Sequence, residues 1–424
     1  MKNSRAIWLL LLANSISGVA QGISMLAVPW YFTGIIHREE LFGNLYLLVT
    51  AISLLWGLYA GSIIDRHDRR RIFLAINLSG FAVLAVVTGI GFSSHYLPWF
   101  LVASVFATTS FIYNIHFPNL YAFAQEITPR EQYGRVTSLL EIQGQLAFTV
   151  AGGLAAILMK GINQNINLFG WDVHLPFTVK PWAIYEIFAI NALTYIVAFL
   201  IISRIKSMSV VEKKIDTGSI VQRVKTGVQF LRRNTLIFHF GNITLLLFLT
   251  ILVFGTYVMT VYVNSFLQRG GDVYAFGDMA FSFGSLLAGF LTTRVFGEKN
   301  VVRGIIILTA VAGIMYCVMT LRIHLVWFFV AQLIIGASNA AVRIQRITYL
   351  FHHIPNHVIG RANSIFFVIS VFLRMCLIAL FTLPFFHRGG NIVYAVGIMA
   401  VICFAGAAIL LLNYKRLVHL REVQ

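Results

Sequence analysis

The sequence predicts an all-α membrane protein of twelve transmembrane helices, arranged as two six-helix bundles related by pseudo-symmetry. Three observations lead to this fold class: the composition, the number of long apolar runs, and an internal repeat. Of the 424 residues, 58% are hydrophobic and 11% are charged, against about 25% charged in an average soluble domain. The mean hydropathy is +0.82. One aqueous core cannot hide so much apolar surface, so the lipid bilayer must act as the solvent.

Twelve runs have the roughly 20 apolar residues that a helix needs to cross a bilayer. Lys2 and Arg5 precede the first run, which is too long for the apolar part of a signal peptide and is therefore predicted to be an uncleaved span. The predicted spans are residues 6–35, 41–63, 72–92, 98–124, 136–159, 182–203, 237–266, 273–294, 302–321, 325–349, 361–385 and 391–413.

The placement of basic residues predicts the orientation. If Met1 is cytoplasmic, 25 of the 32 Lys and Arg residues fall on that side, as the positive-inside rule requires. Both termini are therefore predicted to be cytoplasmic, and the net charge of +17 needs no nucleic-acid partner. The opposite side holds six basic residues: Arg38, Lys160, Lys180, Arg269, Arg322 and Arg388.

The polar connections predict the domain organisation. Residues 204–236 are rich in charge and read as a partly helical cytoplasmic linker between an N-terminal bundle, residues 1–203, and a C-terminal bundle, residues 237–424. Residues 160–181 form the longest external loop, and their Trp, Phe and Leu residues indicate that this loop lies at the membrane interface. Cys317, Cys376 and Cys403 lie in apolar runs and are predicted to be buried thiols rather than disulfides or metal ligands.

The two halves of the chain repeat one loop sequence. The loop after span 4 reads ITPREQYGRVTSL, and the loop after span 10 reads HIPNHVIGRANSI. An even number of spans separates the copies, which predicts parallel repeats about an axis along the membrane normal. Four identities fall at one common offset: Pro129 with Pro355, Gly134 with Gly360, Arg135 with Arg361, and Ser138 with Ser364.

A turn between spans 2 and 3 concentrates four arginines, two aspartates and a histidine in residues 65–71. Its sequence, GSIIDRHDRRRI, resembles the loop 2–3 motif of the major facilitator superfamily, roughly G-x-x-x-D-R-x-G-R-R. Asp68 stands where the family usually has glycine. With the span count, the linker and the repeated loop, the resemblance covers essentially the whole chain, and it is closest to the branch of siderophore and macrolide exporters. The motif positions are Gly61, Asp65, Arg66, Arg69 and Arg70.

The resemblance implies a secondary transporter that works by alternating access as a monomer in a bacterial cytoplasmic (inner) membrane. It also implies that the motif latches the outward-facing state from the cytoplasmic side. Asp65 can meet a helix N-terminus or an arginine in only one rigid-body arrangement. The alternative role of the arginines, which suits Arg70 and Arg71, is to anchor the loop on the cytoplasmic side. The predicted latch residues are Gly61, Asp65, Arg66, Arg69, Arg70, Arg135 and Arg361.

Polar side chains cost free energy in hydrocarbon, so the polar stripes on spans 1, 4, 7 and 10 indicate a central cavity. Span 1, for example, carries Asn14, Ser17, Gln21 and Ser24 at helical spacing. The resemblance implies that these same four spans line the transport path. The alternative is that the groups bond helices together, at under about 1 kcal/mol each. The predicted substrate-binding residues are Arg374, Gln21, Asn14, Asn114, His116, Tyr257, Asn264, Asn339 and Arg343.

Arg374 lies in the middle of span 11, too deep to reach water simply by extending its side chain. A charge at that depth costs at least a few kcal/mol on insertion scales, so it requires a partner or a wet cavity. Three alternatives stay open: pairing with Asp278 or Glu186, binding of an anionic substrate group, and gating. Together with Arg343, Arg346 and His116, this arginine favours a substrate with a carboxylate or phosphate over a lipophilic cation.

Proton coupling needs a titratable group in the path, and Asp278, Glu186 and Glu141 are the candidates. Two motifs of the family's drug/proton antiporters are incomplete. No arginine occurs between Pro98 and Gln125, and the span 5 motif survives only as GQLAFTVAGG, without its Gly-Pro. Both absences disfavour a standard drug/proton antiport.

The sequence thus predicts a transporter of a small anionic organic solute, such as a siderophore-like metabolite, with export favoured by the resemblance. Import of such a compound, transport of lysophospholipids or of multiple drugs, and a nontransporting receptor are the alternatives. No P-loop, HExxH or GxSxG pattern occurs, so the sequence predicts neither ATP-driven transport nor an enzyme. No cofactor or metal is predicted; the expected partners are the substrate, the lipid bilayer and coupling protons.

Overall fold

The structure of the chain is a computed structural model, which describes residues 4–128, 132–161, 165–168, 171–174, 178–205, 220–296, 301–321 and 324–420. The chain divides into two compact units. Unit 1 is residues 1–215 with 269–279, and unit 2 is residues 216–268 with 280–424. The predicted all-α class is confirmed.

Unit 1 contains the helices that correspond to predicted spans 1–6. Their apolar sequences form helices because a helix satisfies its own backbone hydrogen bonds where no water is present. The break between the second and third helices is fixed by Asp68, whose side chain accepts a hydrogen bond of 2.8 Å from the backbone N–H of Arg71 and so caps the third helix. The helices are α1 (Ser4–Trp30), α2 (Glu39–Arg66), α3 (Arg69–Ser94), α4 (Trp99–Glu126), α5 (Tyr133–Lys160) and α6 (Ile184–Ser203).

The connection between α5 and α6 contains a hairpin that the sequence analysis does not predict. Strand β1 (Asn165–Leu168) pairs antiparallel with β2 (Trp171–His174), with Ile166 opposite Val173. These strands fall in residues 160–181, where the sequence predicts an interfacial loop. Four-residue strands of this kind lie at the lower limit of strand length, which is why no periodic signal announces them.

The helices of the second half follow the linker. Helix α11 begins in unit 1 and continues into unit 2 after Met279. The helices are α7 (Ile220–Arg233), α8 (Thr235–Ile243), α9 (Leu246–Val253), α10 (Met259–Val261), α11 (Gly271–Phe296), α12 (Val301–Thr320), α13 (Val326–His353), α14 (Asn356–Phe381), α15 (Ile392–Leu412) and α16 (Tyr414–Val418).

Eleven helical stretches of the described residues are long and apolar enough to cross a membrane. They correspond to predicted spans 1–7 and 9–12. Predicted span 8, residues 273–294, is helical as part of α11. The predicted pattern of spans therefore agrees with the helices of the structure.

Predicted span 7 is a series of short helical pieces rather than one regular α-helix. A π-helical turn, Phe254–Val258, follows α9, and a second, Tyr262–Phe266, follows α10. A third π-helical turn, Tyr31–Ile35, ends α1. Such turns are rare and occur frequently at functional sites. Tyr257 and Asn264, both predicted to bind substrate, lie in the two turns of span 7.

The linker is partly helical, as predicted, and its helix α7 packs within unit 2. Gly227 of α7 lies against the start of α14, where a Cβ atom on this glycine would come within 2.9 Å of the backbone oxygen of Arg361. Such a close approach of two helices requires a residue without a side chain at the crossing. Arg361 thus lies beside the linker helix.

The prediction of three buried thiols is wrong for two of them. Cys403 is buried, whereas Cys317 and Cys376 are exposed on the helix surface, and all three are free. An apolar run that crosses a bilayer has a lipid-facing side as well as a packed side, and apolar composition alone does not tell the two apart.

Two glycines set the crossing of α11 and α13 in unit 2. A Cβ atom on Gly284 would overlap the carbonyl of Leu333, and a Cβ atom on Gly336 would overlap the carbonyl of Phe281. Ser285 then donates a hydrogen bond of 2.9 Å to the carbonyl oxygen of Gly336. Gly336, which lies in predicted span 10, is thus a contact between helix backbones.

We expect Gly336→Ala to lower the free energy of unfolding by about 1–3 kcal/mol, the usual cost of overpacking a core. The added methyl group has no space except that taken by the backbone of α11. Thermal melting of the detergent-purified protein measures the effect. Gly289→Ala on α11, where no atom lies within 4 Å of the added carbon, is the matched control; equal melting temperatures for both variants would contradict the close crossing.

Candidate functional site

Unit 1 contains a polar cavity between α1, α4 and α5. Its volume is about 20 Å³, which is room for about one water molecule. Helix α1 contributes Asn14, Gly18, Gln21 and Gly22. The remaining lining residues are Tyr113, His116 and Phe117 of α4, and Gln143, Gly144, Ala147 and Phe148 of α5.

A chain of side-chain hydrogen bonds crosses this cavity. His116 Nε2 lies 2.8 Å from Oδ1 of Asn14, and Nδ2 of Asn14 donates to Oε1 of Gln143 over 2.5 Å. His116 is packed edge-on against the rings of Phe73 and Phe117, with ring centroids 5.3 Å and 5.4 Å away. The three helices are thereby joined through polar groups rather than through apolar packing alone.

Two amide nitrogens at this cavity are left without partners. Nε2 of Gln21 and Nε2 of Gln143 are buried and make no hydrogen bond to the described residues. A buried amide without a partner costs about 1–3 kcal/mol. Such a cost is repaid when a ligand or water supplies an acceptor, and the cavity is therefore suited to binding one.

Three of the predicted substrate-binding residues meet here: Asn14, Gln21 and His116. Asn114 of α4 is half-buried and does not line the cavity. The other polar residues of span 1 are hydrogen-bonded within the protein. Ser17 donates to the carbonyl oxygen of Ala13 in its own helix, and Ser24 accepts from Asn191 of α6 at 2.9 Å. The polar stripe of span 1 thus serves both the cavity and helix packing.

Sequence reasoning missed Gln143. The span 5 motif GQLAFTVAGG contains Gly144, Gly152 and Gly153, and the sequence analysis considered only its glycines. A glutamine inside an apolar span, such as Gln143, is itself a signal of function or of pairing with another polar group. Gly152 has a packing role, since a Cβ atom there would come within 2.9 Å of the backbone nitrogen of Met279, in the first part of α11. Gly144 instead faces open space.

Unit 2 carries arginines within its spans. Arg374 of α14 is partly exposed; among the described residues it forms no ion pair, and its Nε has no hydrogen-bond partner. Arg346 of α13 lies 5.6 Å from the ring centroid of Phe366, and its guanidinium donates to the carbonyl oxygen of Gly241 over 3.4 Å. Arg343 is exposed on α13. Nε of Arg346 is also without a partner among the described residues, so both arginines retain hydrogen-bonding capacity. Arg346 differs in being held by the carbonyl of Gly241 and the ring of Phe366.

The other predicted binding residues of unit 2 differ in their surroundings. Tyr257 is fully buried, and its hydroxyl lies 3.0 Å from Nε2 of His387. Asn264 and Asn339 are half-buried. His387 belongs to the 3₁₀ turn Pro384–His387 between α14 and α15, and sequence reasoning did not select it.

The candidate proton-coupling carboxylates have different roles in unit 1. Glu141 of α5 accepts a hydrogen bond of 2.8 Å from the hydroxyl of Tyr121. Glu186 accepts one of 2.6 Å from the backbone N–H of Ala183 and so caps α6. Asp278 of α11 is half-buried and forms no ion pair with the described residues. Of the three, Asp278 is thus the one that makes no side-chain hydrogen bond or ion pair among the described residues.

Arg69, a predicted latch residue, is bound to the end of α4. Its guanidinium forms an ion pair of 3.1 Å with Glu126 and donates over 2.5 Å to the carbonyl oxygen of Ala122. Asn119 of α4 in turn donates to the carbonyl oxygen of Arg69 at 2.9 Å. These contacts fix the start of α3 to the last turns of α4.

Arg70 binds the end of α6 instead. Its guanidinium donates to the carbonyl oxygens of Ile202, at 3.2 Å, and of Ser203. A cation at the C-terminus of a helix is favoured by the unpaired carbonyls there. Arg70 therefore bonds the start of α3 to the end of α6, in addition to its predicted role of anchoring the loop on the cytoplasmic side. The side chains of the latch residues Gly61, Asp65, Arg66 and Arg135 lie outside the described residues.

A second cluster in unit 1 joins the start of α11 to α1 and α5. Lys160 forms an ion pair of 2.6 Å with Asp272, and the ring of Trp30 stacks on that of Tyr274 with centroids 6.1 Å apart. Sequence reasoning assigned no role to these residues. Their signals, a lysine and an acid at the ends of two spans, are too common to identify a pair.

The sequence matches the model of the Major Facilitator Superfamily over residues 10–375. The chain therefore belongs to this family. Among curated proteins it is similar to macrolide efflux protein A of Streptococcus pyogenes, with 23% identity over 309 residues that cover 70% of this chain and 67% of the relative.

Solved transporter structures share the fold. The nucleoside transporter NupG superposes with a TM-score of 0.70 at 13% identity, covering 97% of this chain and 100% of that one. The peptide transporter PepTSo gives 0.68 at 12% identity over 97% and 98% of the two chains. A bacterial homologue of the iron transporter ferroportin, in its inward-facing state, gives 0.66 at 14% identity over 95% and 99%. The protein is a multi-pass secondary transporter and not an enzyme.

We expect Gly144→Val to lower transport while leaving stability near that of the wild type. No atom lies within 4 Å of the added carbon, so the new methyl groups fill the cavity instead of displacing a helix. A misfit of one or two carbons in a pocket costs about tenfold or more in specificity. Uptake into proteoliposomes and thermal melting measure the two effects.

Gly57→Val on α2, also with no atom within 4 Å of the added carbon, is the control for placing valine in a helix. Equal transport by both variants would show that substrate does not enter the cavity of unit 1.

We expect Arg69→Gln and Glu126→Gln each to lower the free energy of unfolding by about 1–3 kcal/mol, since each leaves a partly buried charge without its partner. The double variant should lose less than the sum. Melting of the single and double variants measures the coupling between the two side chains. Arg71→Gln, which removes an exposed arginine two positions along α3, is the control; additive losses would rule out the ion pair as a stabilising contact.

Proposed function

We propose that this transporter carries a small anionic organic solute, of the class of carboxylate-bearing, siderophore-like metabolites, by alternating access, and that it exports it. The observation that carries the proposal is the charge of unit 2. Its sequence contains only three acidic residues, Asp216, Glu298 and Glu422, and all three lie outside the predicted spans. Within unit 2, Arg374 therefore has no carboxylate in a span to neutralise it; Asp278, in predicted span 8, lies on the part of α11 that belongs to unit 1.

Arg374 is the most informative of these arginines. Removing a guanidinium from water costs at least a few kcal/mol, and this one has neither an ion pair nor a bond at Nε among the described residues. An anionic substrate group supplies both the charge and the acceptors, and a guanidinium binds a carboxylate through two parallel hydrogen bonds. A lipophilic cation would add repulsion to the cost of burial.

The cavity of unit 1 supports the same substrate class. The unpaired nitrogens of Gln21 and Gln143 are donors, and carboxylates accept hydrogen bonds without donating any. The proposal places substrate contacts at Asn14, Gln21 and His116, with Arg374 as the charge-recognising residue. Asn114, Tyr257, Asn264, Asn339 and Arg343 remain predicted contacts.

Drug efflux is the second candidate, favoured by the likeness to a macrolide efflux protein over 309 residues. The same likeness supports export over import in the first proposal. Import of an anionic metabolite, lysophospholipid transport and a nontransporting receptor are further outcomes that the experiment below separates.

The remaining features of the proposal follow from the sequence pattern. Both termini lie in the cytoplasm, because the basic residues concentrate on that side. That the protein is a monomer in a bacterial cytoplasmic membrane is part of the proposal through the family resemblance. The bundles at residues 1–203 and 237–424 move against each other through the linker at 204–236. The loop 2–3 residues and Arg361 act as the latch, and protons couple through Asp278, Glu186 or Glu141.

We expect a polycarboxylate siderophore to raise the melting temperature of the wild type and to have little effect on Arg374→Gln. A ligand at 100 times its dissociation constant stabilises a protein by about 2.7 kcal/mol, which a melting curve resolves. The panel also contains a lysophospholipid, erythromycin and tetraphenylphosphonium. The metal-loaded and metal-free siderophores are measured side by side.

Arg303→Gln, which removes an exposed arginine of unit 2, is the control and should retain the full shift. A shift by erythromycin or tetraphenylphosphonium that survives Arg374→Gln would contradict the proposal and support drug efflux. Counterflow of labelled siderophore in proteoliposomes then tells a carrier from a receptor, since only a carrier exchanges it across the membrane.

A further inference from the structure

The first part of α11 packs with helices of the first half of the chain. By sequence α11 is predicted span 8, in the second half, but residues 269–279, called here the docking segment, belong to unit 1, and the helix continues into unit 2 after Met279. When two units of a chain move against each other, a segment that packs in one and is continuous with the other must break its contacts. The docking segment is therefore placed where such a movement would be resisted or released.

The docking segment fits a socket formed by α1 and α5. A Cβ atom on Gly271 would lie 2.7 Å from Cε of Met159 and 2.8 Å from Nε1 of Trp30, so α11 begins in direct contact with both side chains. The ring of Tyr274, which is 1% exposed, stacks on that of Trp30, an arrangement that adds to the burial of both rings. Further along, Gly152 of α5 lets the two helix backbones approach closely.

The π-helical turn that ends α1 holds Trp30 in this socket. A Cβ atom on Gly34 would overlap the indole ring of Trp30, so the ring lies across the turn Tyr31–Ile35 at the one place where a glycine leaves room for it. The hydroxyl of Tyr31 donates to the carbonyl oxygen of Leu97 over 2.9 Å and fixes the turn within unit 1. These contacts do not involve α11, so the socket persists when α11 leaves it.

One ion pair joins the docking segment to the end of α5 that is predicted to be external. Nζ of Lys160 lies 2.6 Å from Oδ2 of Asp272, and the two side chains are 65% and 14% exposed. A pair with one exposed partner contributes at most about 1 kcal/mol, so it can break during a transport cycle. A second carboxylate in place of Lys160 would instead face a mostly buried one, which strongly disfavours docking.

We propose that the docking segment is an external gate: it lies in the socket of unit 1 in this structure, and it leaves the socket when the transporter opens to the outside. Trp30, Lys160 and Asp272 are the residues that set the balance between the two states. The inference rests on the alternating access of the proposed function, but not on the substrate proposed there.

The test measures the distance between two spin labels by double electron–electron resonance, on the full-length protein in lipid nanodiscs and without substrate. The labels are attached to cysteines introduced at Glu40 of α2 and at Arg269, both exposed, after the three native cysteines are replaced by alanine. Lys160→Glu should make a longer distance the main population, because it sets two carboxylates against each other. The charge swap Lys160→Glu with Asp272→Lys should return the distance to that of the wild type.

Gly271→Val tests the apolar side of the socket. The added methyl groups have no room beside Met159 and Trp30, so the longer distance should again become the main population. Gly289→Val, also on α11 but with no atom within 4 Å of the added carbon, is the matched control and should keep the wild-type distance.

The outcomes separate this inference from the proposed function. Wild-type distances in both Lys160→Glu and Gly271→Val would overturn the external gate, whatever the melting temperatures of the variants. A longer distance in Lys160→Glu that the charge swap does not reverse would also overturn it, since the change would then reflect misfolding and not the ion pair. If the charge swap restores the distance but the siderophore shift does not depend on Arg374, the gate stands and the anionic assignment fails.

Discussion

The structure depends on one constraint: a polar group inside the bilayer has no water to bond to, so it must find its partner within the protein. The tyrosines show this directly, since the hydroxyl of Tyr31 donates to the carbonyl oxygen of Leu97 at 2.9 Å and that of Tyr262 to Met319 at 2.6 Å. The indole of Trp56 does the same toward Phe111. The last two bonds tie a side chain of one helix to the backbone of another, and that of Tyr31 reaches the connection just before α4.

The groups that do not meet this constraint are the informative ones. Among them are, in unit 1, the amide nitrogens of Gln21 and Gln143 at a cavity and, in unit 2, the guanidinium of Arg374 within a span. The first offers hydrogen-bond direction, and the second offers charge. Both fit the anionic substrate proposed above, and they differ between the two halves of the chain, which the sequence predicts to be repeats.

The departure at Asp68 shows how a family motif changes without loss of the turn. Glycine allows a tight connection between two helices, whereas Asp68 secures it by capping α3. The neighbouring arginines then bind the ends of two other helices, Arg69 on α4 and Arg70 on α6. A charged turn that looks like a simple membrane anchor thus organises the ends of three helices of unit 1.

The sequence alone determined the class of protein, the approximate spans and the family. Hydropathy and the repeated loop can be read directly from the residues, because every helix that crosses a bilayer needs a long apolar run. It also selected Asn14, Gln21 and His116, since a polar residue in an apolar run is conspicuous by itself. Only the tertiary structure decided which polar residues share a cavity, which serve as helix contacts, and that Gln143 belongs with the first group. That decision depends on which faces of three helices meet, and on glycine positions that set their distance. Hydropathy contains no information on either point, because it describes each residue by itself and not the residues that pack against it.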